Sequence, residues 1–151
     1  MLSDHDIVDN LSKSAEHTVL MGLLRSAGMV EKLQAHGPFT LFAPTDAAFA
    51  ALPAGLLDSL RRPEGKAGLI ALLSMHVLPE NFSSARLRYL LRGKAQFEVD
   101  TINDAKMTIA TNGPTNLVVR DGKGAFADIV VYDAKQSNGV VFVTDRVLQP
   151  G

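Results

Sequence analysis

The 151-residue sequence contains no cysteine. Disulfide frameworks and cysteine-ligated metal sites are therefore excluded. The compartment stays open, because an exported bacterial domain can also do without cysteine. Charge of one sign is lacking too: 15 Lys and Arg stand against 16 Asp and Glu, a formal net charge of −1. The broad basic footprint of a nucleic-acid binder is thus missing. The densest basic run, Arg86, Arg88, Arg92 and Lys94, reads as the solvated face of an amphipathic helix. No apolar run approaches the ~20 residues that span a bilayer. The opening MLSDHDIVDN is acidic and polar and does not fit a signal peptide. Either the protein is intracellular, or a leader is absent from this sequence. Linkers, low-complexity tracts and internal repeats are also missing, so a single domain over residues 1–151 is expected. A chain of this length buries roughly 70% of its unfolded surface and needs no staple.

What is present falls into two halves. In the first, Ser3 and Asp6 read as a capping box, followed by Ile7, Val8, Leu11 and Ala15 at helical spacing. A second helix carries Val19, Leu20, Leu23, Leu24 and Ala27, with Gly28 as its left-handed terminus. A short helix, Val30 to Ala35, ends at His36-Gly37-Pro38. FTLFAP reads as a strand. Helices follow to Leu60, from Pro63 to Leu73, and from Ser83 or Ser84 to Leu90, with MHVLP as a brief strand before the last. From Lys94 onward come AQFEVD, KMTIA, NLVVR, AFADIVVY and GVVFVTDRVL. Turn residues separate these runs: Asn103-Asp104, Asn112-Gly113-Pro114, Asp121-Gly122 and Asn138-Gly139. Asp121-Gly122 is a hairpin signal. Helices first and strands second argue an α+β fold, with Phe39, Leu41, Phe42, Val141 and Val143 in its core.

The junction after the first strand raises the question of chemistry. Pro44 favours an extended Ala43, and Thr45 is placed to cap the next helix. Asp46 puts negative charge at its positive end. A nucleophile elbow would need small residues around the nucleophile, and a phosphate cradle would need glycines with free amides. Neither is present, so the junction reads as structural. The four histidines form no metal-ligand pattern, and no cofactor or metal is expected. His76 stands on an apolar strand and reads as a buried, hydrogen-bonded side chain; Ser74 and His76 only share a strand face and make no triad. Asn138-Gly139 supplies a turn, and Val140 to Val143 are apolar on both faces, as in a central strand. Asp145 is read as an acceptor for backbone amides or a basic group such as Arg146.

Three segments resemble a fasciclin domain: GPFTLFAPTDAAFAALP (Gly37–Pro53), the histidine motif MHVLP (Met75–Pro79) and the closing SNGVVFVTDRVLQP (Ser137–Pro150). DIVDNL and LLRSAGMVEKL are also similar to family sequence. Order and spacing agree across nearly the whole chain, and the first block looks like that of a single-domain bacterial member. The resemblance implies two packed β-sheets forming a wedge, with helices along one side. It implies a secreted, periplasmic or cell-surface adhesion module that contacts a surface or matrix protein or a polysaccharide and catalyses nothing. In animal members integrin contact has been placed on the histidine motif and on an Asp-Ile pair, which carry over as His76 and Asp133. Here Met75 stands where an aromatic commonly precedes the histidine, Ala134 replaces the Ile, and Phe142 stands where a histidine is common. Two other readings stand beside adhesion: a structural spacer, or an enzyme or small-ligand carrier whose site the motifs do not reveal.

Overall fold

The computed structural model describes residues 4–35, 37–112 and 116–150. Ser3, His36 and the Gly113-Pro114 turn lie outside them. Helix α1 (Ile7–Ser12) is capped by Asp6, whose carboxylate accepts the Asp9 amide at 2.8 Å. It ends before Ala15. Helix α2 (Thr18–Ala27) stops at Gly28, φ 72°, and α3 (Val30–Gln34) follows. Strand β1 (Phe39–Pro44) leads into α4 (Asp46–Ala50) and α5 (Leu56–Arg61). A 3-10 turn at Pro63–Gly65 opens α6 (Lys66–Ser74). Strand β2 is only Val77–Leu78, and α7 (Ser84–Leu90) is capped by the Ser83 hydroxyl. Strands β3 (Gln96–Asp100), β4 (Lys106–Asn112), β5 (Asn116–Arg120), β6 (Phe126–Gln136) and β7 (Gly139–Thr144) complete the chain.

The strands run in the order β2-β1-β7-β6-β5-β4-β3. All neighbours are antiparallel except β1 and β7, which pair in parallel from Phe39↔Gly139 to Pro44↔Thr144. The two sheets of the wedge are continuous through β6. Its first residues pair with β5 (Val118↔Asp128, Arg120↔Phe126). From Ile129 to Gln136 it pairs with β7, with register shifts on either side of Val131. Such irregularities bend a strand and raise its twist, which lets one strand serve two sheets. They also carry β6 four residues beyond Tyr132, where the apolar run of the sequence stops.

β1 and β7 separate two cores. Leu41, Ala43 and Val141 face the helices and pack with Ile7, Leu11, Leu20, Leu24, Leu33 and Leu73. Phe42, Val140 and Phe142 face the other way, onto Met107, Ile109, Leu117, Val119, Leu87 and Leu148. Phe42 and Phe142 are register partners and stack at 5.3 Å. A strand buried on both faces has no polar position to spare. That explains the uninterrupted Val140–Val143 run. Of the expected core residues only Phe39 is half-buried.

Asn138 fixes where β7 begins. Its side-chain oxygen accepts the Ile7 amide at 3.1 Å, and its amide group donates to the Leu33 and Ala35 carbonyls at 2.6 and 2.8 Å. Its own carbonyl accepts the Phe39 amide. The side chain thus joins α1 to the end of α3, and the backbone of the same residue holds the first residue of β1. Beside it, a Cβ on Gly139 would overlap the Phe39 carbonyl oxygen. Asn138→Asp should be worse than a deletion. It removes two donors and places a charge against two carbonyls in a buried site, a class of change costing about 3–5 kcal/mol. Urea unfolding should show a large fall in midpoint for Asn138→Asp, exceeding that of Asn138→Ala; equal midpoints would refute the assignment.

Candidate functional site

At the strand–helix junction, the Thr45 hydroxyl accepts the Ala48 amide at 3.2 Å. Asp46 reaches outside its own helix. Its carboxylate accepts the Thr18 hydroxyl at 2.6 Å and the Val19 amide at 2.8 Å. It therefore caps the first turn of α2, and these donors, the Thr18 hydroxyl foremost, hold its carboxyl below the usual carboxylate range. Nearby, His17 is buried with Nδ1 2.7 Å from the Ser14 hydroxyl, and burial lowers its pKa. At this junction, then, Thr45 caps α4 and Asp46 joins α4 to α2.

His76 lies in the turn after α6, before β2, and not on a strand as its apolar neighbours suggest. α6 runs one residue past Leu73, to Ser74, and leaves β2 only two residues. At 1% exposure the ring does not reach the surface, so it is not available for direct contact with a partner. Nδ1 lies 2.9 Å from the Leu72 carbonyl and Nε2 2.9 Å from the Leu148 amide. A carbonyl only accepts and an amide only donates, so the ring carries its proton on Nδ1. Burial drives its pKa down to about 4, against the opposing pull of the Leu72 carbonyl and Asp121. Asp121 holds the next amide of the same segment: its carboxylate accepts Gln149 at 2.9 Å, and also Lys123 and Ala125. His76 and Asp121 together clamp the closing segment by consecutive amides. The β5–β6 hairpin forms at the expected place, but its loop runs from residue 121 to 125, with Gly124 rather than Gly122 left-handed (φ 86°).

Asp133 sits at the β6 bulge with φ 54°. Its carboxylate accepts the Ser84 amide at 2.7 Å and the Ser84 hydroxyl, tying the start of α7 to β6. Asp145 accepts the Asp128 amide at 2.9 Å while its own amide donates to the Asp128 carbonyl. That extends the β6–β7 join by one exchange and makes no use of Arg146. His76 and Asp133, the two residues carried over as partner contacts, do not come together; each pins a different joint. Among the described residues no group of three or more His, Cys, Asp or Glu could hold a metal. No helix among them is long and apolar enough to cross a membrane.

The outer surface presents what the joints leave over. Val130 and Val131 are 55% and 47% exposed, side by side in β6, because the register shift breaks the in–out alternation. Tyr89 on α7 is 67% exposed. The two elements adjoin through Asp133–Ser84 and through the Arg88 guanidinium, 5.5 Å over the Tyr132 ring. Sequence patterning alone does not mark this surface, because an alternating strand conceals where its bulge falls.

The family model described as Fasciclin domain matches residues 15–150. The chain belongs to the fasciclin domain family. It is 36% identical over 146 residues to protein sll1483 of Synechocystis, spanning 95% of this chain and 73% of that one. It is 31% identical over 147 residues to Synechocystis protein sll1735, covering 97% of this chain and 98% of the relative. Among solved structures it resembles a FAS1 domain pair from the insect cell adhesion molecule fasciclin I. The TM-score is 0.73 at 15% identity, over 95% of this chain and 50% of that one. That likeness gives the fold: this fasciclin domain corresponds in extent to about half of the pair.

Two outcomes follow from the joints. Unfolded His76 takes up a proton near pH 6.5, whereas the folded ring resists it down to about 4. Between these values the unfolded state binds more protons, so stability rises with pH. It should be intact above roughly pH 6.5 and fall by on the order of 3 kcal/mol towards pH 4, with buried His17 acting in the same direction. Urea midpoints across that range should show the fall, and His76→Leu should flatten it while lowering stability at neutral pH; an unchanged slope in the variant would assign the effect elsewhere. Second, Asp133→Ala should cost about 1–3 kcal/mol and speed amide exchange in α7. Asp133→Asn, which tolerates a positive φ and keeps an acceptor, should cost less. Similar losses in both variants would show that the Ser84 contact is not what matters.

Proposed function

We propose that this fasciclin domain is a non-catalytic contact module. It works outside the cytoplasm, secreted, periplasmic or at the cell surface, and attaches to a surface or matrix protein or to a polysaccharide. The observation that carries this reading is the exposed surface of β6 and α7. Val130, Val131 and Tyr89 are three large apolar side chains in water on two elements bonded to each other. Aromatic and aliphatic anchors at the centre of a contact, surrounded by polar groups, are the usual source of binding energy between macromolecules. Family membership supports the reading, as does the description of its solved structural neighbour as part of a cell adhesion molecule. So does the engagement of Thr45, Asp46, His76, Asp133, Asn138 and Asp145 in internal bonds, which leaves recognition to the outer face.

The test is attachment of the purified domain to cell surfaces and to immobilised matrix material. Val130→Ser/Val131→Ser should lower the melting temperature only modestly, because each side chain is about half exposed, and should weaken attachment about tenfold, or ~1.4 kcal/mol. Attachment that no substitution on β6 or α7 alters would favour a spacer. Turnover of a substrate, lost in a folded Asp46 or His76 variant, would replace the reading with catalysis.

A further inference from the structure

We infer that the exposed face of α7, with the residues just after it, binds an acidic polysaccharide of the uronate type. This rests on the contact-module reading and names the class of partner. The first observation is local charge. Four of the 15 basic residues, Arg86, Arg88, Arg92 and Lys94, fall within nine positions, and no Asp or Glu occurs between Glu80 and Glu98. On a chain with net charge −1 this is a patch, not a general property. The acids that approach it are engaged: Glu80 by Arg86 at 3.2 Å, and Asp133 by Ser84.

The second observation is arrangement. Leu87 and Leu91 are buried beneath the helix, which turns Arg88, Tyr89 and Arg92 outward on one face. Residues three and four apart on a helix are neighbours, so Arg92 reaches the Tyr89 ring from one turn on. Arg92 sits 5.4 Å over that ring, and Arg88 over Tyr132. Of these, Arg92 carries the planar N–H fork that can grip a carboxylate bidentately. Arg86, which donates to the Asn81 carbonyl and Glu80, belongs to the frame. The patch is held in place by the Ser83 cap and the Asp133–Ser84 bond.

The third observation is shape. Tyr89, Leu90, Arg92 and Lys94 line a shallow, open depression. An enclosed small ligand would find no walls there, but a linear polymer can lie across it. A sugar ring presents C–H groups that pack on an exposed tyrosine face while its carboxylate meets the flanking cations; a peptide carboxylate alone would use the charge and ignore the ring. Individual surface ion pairs are weak, about 0.2–1 kcal/mol. Binding should therefore depend on repeated engagement along the chain and on low salt.

The test uses immobilised polygalacturonate, with neutral dextran and poly-glutamate in parallel, at low and high salt. The domain should bind polygalacturonate at low salt and not dextran. Arg92→Glu/Lys94→Glu should weaken that binding at least about tenfold with an unchanged melting temperature, and Tyr89→Ala should weaken it severalfold without affecting poly-glutamate. Failure to bind polygalacturonate, binding indifferent to these substitutions, or equal binding of poly-glutamate with a silent Tyr89→Ala would overturn the inference, the last pointing to an acidic protein instead. If attachment still depends on residues of β6 or α7 in that case, the contact-module reading survives; if it depends on none of them, both fall.

Discussion

The parallel pairing of β1 with β7 is the constraint from which the rest follows. The two strands lie about a hundred positions apart in the chain, so bringing them together closes a very long loop before any local contact compensates the lost entropy. The compensation is that each strand is buried on both faces. Leu41, Ala43 and Val141 close the helical core, while Phe42 and Phe142 close the core between the sheets. Losing register by one residue would exchange the two sets and put phenylalanines against the helices. Asn138 and Gly139 guard against that slip. The asparagine side chain can satisfy three backbone groups, one in α1 and two at the end of α3, only in one register, and the glycine admits the Phe39 carbonyl only there.

Such a partition leaves polar side chains little freedom. A wall with two apolar faces has joints only at its ends, and the notable polar residues gather at them. Thr45 and Asp46 work where β1 leaves the wall, Asn138 where β7 enters it, and Asp145 where β7 leaves it. His76 and Asp121 hold the segment that follows β7. A buried amide without an acceptor costs about as much as several surface ion pairs contribute. Burial is what depresses the pKa of His76. The ring thus stays neutral, and only the neutral form can accept the Leu148 amide on one side and donate to the Leu72 carbonyl on the other.

Legibility in the sequence divides along this line. Local devices could be read. Thr45 and Ser83 as caps, Gly28 as a left-handed end and Asn138-Gly139 as a turn all act within a few residues of themselves. The α+β segregation and the doubly apolar β7 were legible because burial on two faces leaves an uninterrupted run. The turn at Asp121 was legible too, but its hold on the Gln149 amide was not, because that amide lies 28 residues away and no local pattern records it. MHVLP looks like a strand because an apolar helix end and an apolar strand share one composition. Asp133 and His76 came from likeness to a family, and likeness carries a residue without carrying its exposure. Asn10 bonding to Gln136, across 126 positions, left no trace either.

The exposed apolar surface of β6 is a consequence of how the wedge closes. One strand, β6, must leave β5 and join β7, and a regular strand cannot face both without bending. The bulge around Val131 supplies the bend, and in doing so it defeats alternation and turns two consecutive valines outward. The same irregularity places Asp133 in a positive-φ position, from which its carboxylate reaches the first turn of α7. So the feature that joins the sheets also exposes an apolar edge and docks a cationic, tyrosine-bearing helix beside it. The surface proposed for contact thus comes from the geometry that completes the fold, while the polar motifs are engaged internally.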